Sequence, residues 1–248
     1  MSKSNIEWTE MTWNPSTGCN KVSAGCKFCY AETMAHRLQA MRAPGYDNGF
    51  EFTLMPDRLE MPKKIKKPTK FFVNSMSDLF HEKMPFEFLD SVFKTIEETP
   101  RHSYQILTKR EDILISYFKE HSIPKNVWMG VTVEHAKTKN RIDSLRKVDA
   151  NIRFLSIEPL IGPVGELNLS GIHWVIVGGE SGPGARPMKP EWAEDVKRQC
   201  EEQNVAFFFK QWGAWGSDGV KRNKKANGRI FQGKEWNEEP NLVPAKAS

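Results

Sequence analysis

Apolar residues fall along the chain in two alternating rhythms. Short runs of the kind that forms a strand buried on both faces recur at Phe71-Phe72-Val73, Tyr104-Gln105-Ile106-Leu107, Val127-Trp128-Met129-Gly130-Val131, Ile152 to Ile157, Trp174-Val175-Ile176-Val177 and Val205 to Phe209. Amphipathic stretches lie between most of them. Pro85 opens one in which Leu89, Val92, Phe93 and Ile96 stand at i, i+3, i+4 and i+7. A second carries Leu114, Tyr117 and Phe118, a third Ile142 and Leu145, and a fourth Trp192, Val196 and Cys200. The connection after Ile157, containing Gly162-Pro163-Val164-Gly165, reads as an irregular loop. A weaker strand is predicted near Met11-Thr12-Trp13.

Strand then helix, repeated, means parallel strands joined by crossovers, hence an α/β protein with a barrel or an open sheet. The favoured expectation is a partial or complete (β/α) barrel of TIM type over residues 1–212. After Gly213 the chain is polar, lysine-rich and without clear period, which predicts a basic C-terminal extension over residues 213–248. In either architecture, functional residues lie in the loops after strand carboxyl ends.

Composition narrows the class. The 248 residues are 39% hydrophobic with 17 glycines, an ordinary globular balance that excludes a wholly disordered chain. The longest apolar runs fall far short of the roughly 18 residues of a membrane helix. The first eight residues contain no apolar core of a signal peptide. A soluble, cytoplasmic protein without a membrane partner is expected. Lys plus Arg number 36 against 31 Asp plus Glu, a net charge of +5 that permits a polyanionic partner without establishing one. Two stretches concentrate that charge: Lys63, Lys64, Lys66, Lys67 and Lys70, then Lys221, Arg222, Lys224, Lys225 and Arg229. Such stretches either attract the phosphates of nucleic acid or are solvated loops, and the sequence leaves both open.

Three of the four cysteines fall between Cys19 and Cys29, spaced C-x6-C-x2-C, in a chain whose thiols stay reduced. That crowding is typical of a metal site. Gly18 and Gly25 let the backbone wrap around a centre. Ala31, Met34, Ala35, Leu38 and Met41 follow at helical spacing, so Cys29 stands at a helix N-terminus, where the dipole favours a thiolate. Cys200, on the apolar face of its own helix, reads as a core thiol. A structural zinc would need a fourth ligand. The nearest histidine, His36, lies about 10 Å along the helix from Cys29, although a ligand from elsewhere stays open. Three thiolates without a fourth suit an iron–sulfur cluster with one open iron.

Cys26-Lys27-Phe28-Cys29 resembles the second half of the radical S-adenosylmethionine signature, in which an aromatic residue precedes the last cysteine. The first gap departs from it, with six residues in place of three. The whole chain also resembles a phage and prophage family of three-cysteine proteins, through Trp13-Asn14-Pro15, Gly18-Cys19, Gly25-Cys26, Cys29-Tyr30-Ala31 and Ser77-Asp78-Leu79-Phe80. Further shared blocks are Leu107 to Arg110, Ser156 to Leu160, Gly178 to Ser181 and Lys210 to Gly213. The resemblance implies a radical-SAM-like barrel in which Cys19, Cys26 and Cys29 bind a [4Fe-4S] cluster and S-adenosyl-L-methionine chelates the open iron. It implies an enzyme that generates a 5′-deoxyadenosyl radical. An external reductant of flavodoxin or ferredoxin type would serve it; the resemblance supplies no substrate, and nucleic acid or nucleotide stays open as its class. The alternative is a non-catalytic zinc-containing nucleic-acid-binding module.

Most of those blocks end predicted strands and would converge on one mouth. Lys109, Arg110, Glu158, Glu180 and Lys210 are therefore expected around the substrate or cofactor, because burying such charges unpaired is costly. Internal ion pairs, for instance Lys109 or Arg110 with Glu158 or Glu180, are the bland alternative. Residual positive charge there suits an anionic ligand. The resemblance adds Phe28 beside the cofactor. It also puts Asn74, Ser75 and Asp78 in place of the family's Gly-Gly-Glu segment after the second strand. Thr132 and Glu134 are expected at ribose hydroxyls, and Gly178 and Gly179 where an adenine or substrate comes close.

Overall fold

The computed structural model describes residues 4 and 6–240, so the last eight residues of the expected extension lie outside it. In chain order the elements are β1 (Met11–Trp13), β2 (Ser16–Thr17), α1 (Tyr30–Ala40), β3 (Thr53–Leu54), β4 (Lys70–Val73), α2 (Phe86–Glu97), β5 (Ser103–Thr108) and α3 (Glu111–Tyr117). They continue with β6 (Val127–Thr132), α4 (Asn140–Arg146), β7 (Ile152–Ile157), β8 (Trp174–Gly178), α5 (Pro190–Glu202), β9 (Ala206–Gln211) and α6 (Lys224–Asn227). Seven strands form one sheet in the order β1-β4-β5-β6-β7-β8-β9, every neighbouring pair parallel. β1 and β9 do not pair with each other, so the curled sheet is a partial (β/α) barrel. The short strands β2 and β3 form a separate antiparallel pair.

Helical periodicity translates directly into burial. α2 buries Leu89, Val92, Phe93 and Ile96, and α5 buries Ala193, Val196 and Cys200, against the outer face of the sheet. No helix forms between β7 and β8. α1 differs from expectation. It buries Ala31 and Ala35, whereas Met34 and Met41 are exposed, because the helix packs on a small cluster with Tyr46 and Met76 and not on the main core.

Side chains alternate across a strand, so one residue in two faces the concave side. Near the amino ends of the strands that face is aromatic: Trp8, Phe72, Trp128, Phe154, Trp174 and Phe208 pack as one cluster. Trp8 meets Phe72 edge-on at 4.7 Å, and Trp174 meets Trp128 and Phe208 edge-on at 5.8 Å. Towards the carboxyl ends the same face carries Gly130, Thr132, Ser156, Gly178 and Lys210, small or polar. The half-barrel thus has a packed aromatic floor and a polar mouth.

Residues after Gly213 return to the sheet. Phe231 is buried against Phe209, ring centres 4.7 Å apart. Phe209 N donates to Trp236 O at 3.0 Å and Glu238 N to Phe207 O at 3.3 Å, along the side of β9 that faces away from β8. No helix among the described residues is long and apolar enough to cross a membrane.

Candidate functional site

The cysteine loop begins where the chain leaves β2. Gly18 N donates to Met76 O and Cys19 N to Phe50 O, each at 3.0 Å, which fixes the loop's entry beside the carboxyl end of β4. Gly18 has φ of +75°, and a Cβ there would lie 2.0 Å from the Glu51 carbonyl, so only glycine fits. The chain then makes a tight turn at Ala24–Cys26, and Cys29 occupies the N-cap position of α1. Cys19, Cys26 and Cys29 are all half-buried, whereas Cys200 is fully buried in the core.

Three ion pairs at strand ends reach the loop. After β5, Arg110 meets Asp78 at 3.2 Å and donates to Cys19 Sγ at 3.4 Å and to the Asn20 carbonyl at 3.1 Å. After β6, Glu134 is fully buried, pairs with Arg141 at 3.1 Å, and accepts from the Ser23 hydroxyl. Arg141 also meets Glu111 at 3.3 Å. After β8, Glu180 pairs with Arg186, whose guanidinium donates to the Ala24 carbonyl at 3.0 Å. The internal pairs that reach the loop are therefore Arg110–Asp78, Glu134–Arg141 and Glu180–Arg186; neither Lys109 nor Arg110 pairs with Glu158 or Glu180, whereas Glu158 pairs with Lys210. Arg110 and Glu180 follow their strands into loops, where they meet other partners than their strand-end neighbours.

Lys109, Glu158 and Lys210 remain at the mouth. Lys210 Nζ stands 3.1 Å from Glu158, the Ser156 hydroxyl donates to the same carboxylate at 3.3 Å, and Lys109 Nζ donates to Thr132 Oγ1 at 3.3 Å. The two charges of the Lys210–Glu158 pair keep about a fifth and an eighth of their side-chain surface open, at 19% and 13%.

The environment splits the thiols. Burial alone would raise the Cys26 thiol, but the charge of Lys109 and hydrogen bonds from Val22 and Ser23 outweigh it and lower the pKa. Cys19 is raised: burial, reinforced by Asp78, exceeds what Arg110 takes away.

Several residues expected at a cofactor have partners within the chain. The Asn74 side chain, at φ +58°, is bonded to the Ser16 hydroxyl at 2.9 Å. Ser75 O accepts from the Tyr30 hydroxyl and Ser75 Oγ donates to Asn14 at 3.2 Å. Asp78 accepts from Thr108, from the backbone of Phe80 and Lys109, and from Arg110. The close approach at Gly179 is to the Trp212 carbonyl, 1.9 Å from where a Cβ would be, and that at Gly178 is to Glu158 at 2.3 Å. Phe28 lies against Gly184 with Arg186 over its ring at 5.5 Å. Arg186, Asn20 and Ser23 were not legible as site residues, because each reaches the site through a partner remote in sequence, and Arg141 because it acts only through Glu134.

Among the described residues, no three His, Cys, Asp or Glu side chains are gathered about one point as a single ion requires. Zinc wants such a close tetrahedral set. Thiolates on separate corners of a cubane stand farther apart than ligands of one ion. Three half-buried cysteine thiols on one loop are a donor set of the kind an iron–sulfur cluster takes.

This architecture has solved counterparts. A single-substitution variant of spore photoproduct lyase matches with a TM-score of 0.52 at 11% identity, covering 85% of this chain and 78% of that one. A second variant matches with 0.51 at 12% identity, covering 84% and 78%. Spore photoproduct lyase complexed with dinucleoside spore photoproduct matches with 0.48 at 14% identity and covers 81% of this chain. This chain spans only 63% of the length of that one. The fold is thus of the partial-barrel class to which those lyase structures belong. Within it, the chain belongs to the family described as protein of unknown function, DUF5131, whose model matches residues 3–240. No curated protein matches.

Proposed function

We propose that the protein is a radical S-adenosylmethionine enzyme in which Cys19, Cys26 and Cys29 hold a [4Fe-4S] cluster. The observation that carries this reading is the placement of a C-x6-C-x2-C loop across the strand carboxyl ends of a radical-SAM-like half-barrel. When bound, cluster and cofactor supply reductive cleavage of the sulfonium to a 5′-deoxyadenosyl radical, with hydrogen abstraction from substrate. Such a centre would call for an external one-electron donor of flavodoxin or ferredoxin type as its partner.

The chain's own groups bind and orient. Lys109 and Lys210 offer cationic donors to a carboxylate or phosphate, and Glu158, with Ser156 and Thr132 nearby, accepts from hydroxyl or amine donors. The aromatic floor closes the far end of the half-barrel to water, which strengthens polar contacts at the mouth. Nucleic acid or nucleotide is the substrate class that the exposed lysines outside the mouth favour.

Anaerobic reconstitution with iron and sulfide, followed by S-adenosylmethionine and dithionite, tests the reading. Release of 5′-deoxyadenosine is expected. A chain that takes up one zinc and no labile sulfide would overturn it.

A further inference from the structure

The gap between Cys19 and Cys26 is six residues, and the structure gives those residues an occupation. Asn20 receives Arg110 of the Asp78–Arg110 pair through its carbonyl at 3.1 Å and through its side-chain oxygen. Ser23 donates to Glu134 of the Glu134–Arg141 pair. Gly25 lies so close to the same carboxylate that a Cβ would come within 2.5 Å of Glu134 Oε1. Ala24 O receives Arg186 of the Glu180–Arg186 pair at 3.0 Å. Four of the six residues thus meet ion pairs rooted at the ends of three different strands.

We propose that residues 20–25 are a docking strap that sets the cysteine loop on the sheet before any cluster is present, with Arg110, Glu134 and Arg186 as positioning residues. The proposal deepens the reading of Cys19, Cys26 and Cys29 as cluster ligands and rests on it for its purpose. Its contacts involve only the chain's own groups. Two of the three anchor pairs are buried on both sides, and in the third Glu180 is buried while Arg186 keeps 28% of its side chain open. Glu134 is fully enclosed, and Asp78, Arg110 and Arg141 expose under a tenth of their side chains. A buried charge that lost its partner would stand uncompensated, so each pair holds its geometry. Ordering a free loop loses backbone entropy at every residue. A strap fixed in advance removes that loss from cluster binding, which is preorganisation.

Hydrogen exchange on the metal-free chain tests this at the amides of Cys19, Cys26 and Lys27, which donate to Phe50 O, Ser23 O and Ala24 O. Protection is expected in the wild type. The double variant Asn20→Ala with Ser23→Ala, and separately Arg186→Gln, should accelerate exchange at these amides by about tenfold or more, while β6 amides keep their protection. Iron and sulfide uptake on reconstitution should slow in parallel. The double variant acts from the loop side and leaves all three ion pairs in place, so folding does not confuse its result; Arg186→Gln takes the cation from buried Glu180, and its result counts only where β6 amides keep their protection. Glu134→Gln, which weakens the buried pair itself, should show the largest acceleration if it folds. Wild-type amides that exchange as fast as those of the double variant would overturn the strap. A wild type that shows protected amides but takes up no iron and sulfide would overturn the cluster reading instead.

Discussion

Cys200 and the three loop cysteines share a side chain and differ in their surroundings. Cys200 is enclosed among α5 and its neighbours, and burial pushes its thiol up to about 12, which leaves it an unreactive core group. Alanine at Cys19, Cys26 or Cys29 should abolish reconstituted iron. Alanine at Cys200 should keep it and cost about 1 kcal/mol of unfolding free energy. Loss of iron in the Cys200 variant alone would refute the ligand assignment. His81 carries a second residue-scale consequence. It is buried, stacked on Phe52 at 4.2 Å, and its Nδ1 accepts from Lys83 N. Burial, with Arg110 nearby, lowers its pKa from 6.5 to about 4. The folded state therefore resists protonation. The stability contribution is present in full above pH 6.5 and is lost as the pH falls towards 4, by up to about 3 kcal/mol. Urea titrations between pH 7 and 4 should show this slope in the wild type and a shallower one in His81→Gln. Equal slopes would assign the effect elsewhere.

At the scale of elements, β6 and β7 show how a strand makes space for its neighbour. Gly130 pairs with Phe154 in register, and a Cβ at Gly130 would lie 2.5 Å from the Phe154 ring. Gly130→Val should destabilise the fold by roughly 1–3 kcal/mol through overpacking. Phe154→Leu in the same chain should recover part of the loss in a double-mutant cycle; strictly additive effects would show that the two side chains do not compete. The strands were legible because each is an apolar run bounded by polar residues, and Ile152–Ile157 coincides with its predicted span. β1 read weakly since three residues give period little room. The cysteine loop was legible from spacing alone. What the sequence hid are contacts between distant residues: Glu134 with Ser23, Arg186 with Ala24, and Asp78 with Arg110 depend on strand order. The reading of Gly178 and Gly179 recognised a close approach and missed that Glu158 and Trp212 make it. Met34 kept helical spacing without a core to face.

Across the whole molecule, the basic stretches are less free than their composition suggests. Lys63 pairs with Glu60 and Glu98, Lys70 with Glu239, Arg222 with Asp218, Lys224 with Glu7, and Arg229 with Glu235. Lys64, Lys66 and Lys67 are exposed, and no ion pair engages them among the described residues. Nucleic-acid affinity should fall with salt at a log–log slope of about −0.7 to −0.9 per phosphate neutralised. Glutamine at Lys64, Lys66 and Lys67 should flatten that slope by up to about three phosphates, whereas glutamine at Lys63 and Lys70 should leave it nearly unchanged. Salt-insensitive binding would contradict this. The segment lying along β9 bears on solubility. Val205 to Phe209 is an uncharged, β-prone window, and without the backbone of Trp236 and Glu238 its amides and carbonyls would offer a template to a second chain. A chain ended after Gly213 should therefore be recovered as self-associated material and not as an inactive monomer. Light scattering would show this, and a monodisperse truncated chain would argue against it. The polar, basic residues past Gly213 then act as a gatekeeper against aggregation, closing the exposed margin of an incomplete barrel with the molecule's own backbone.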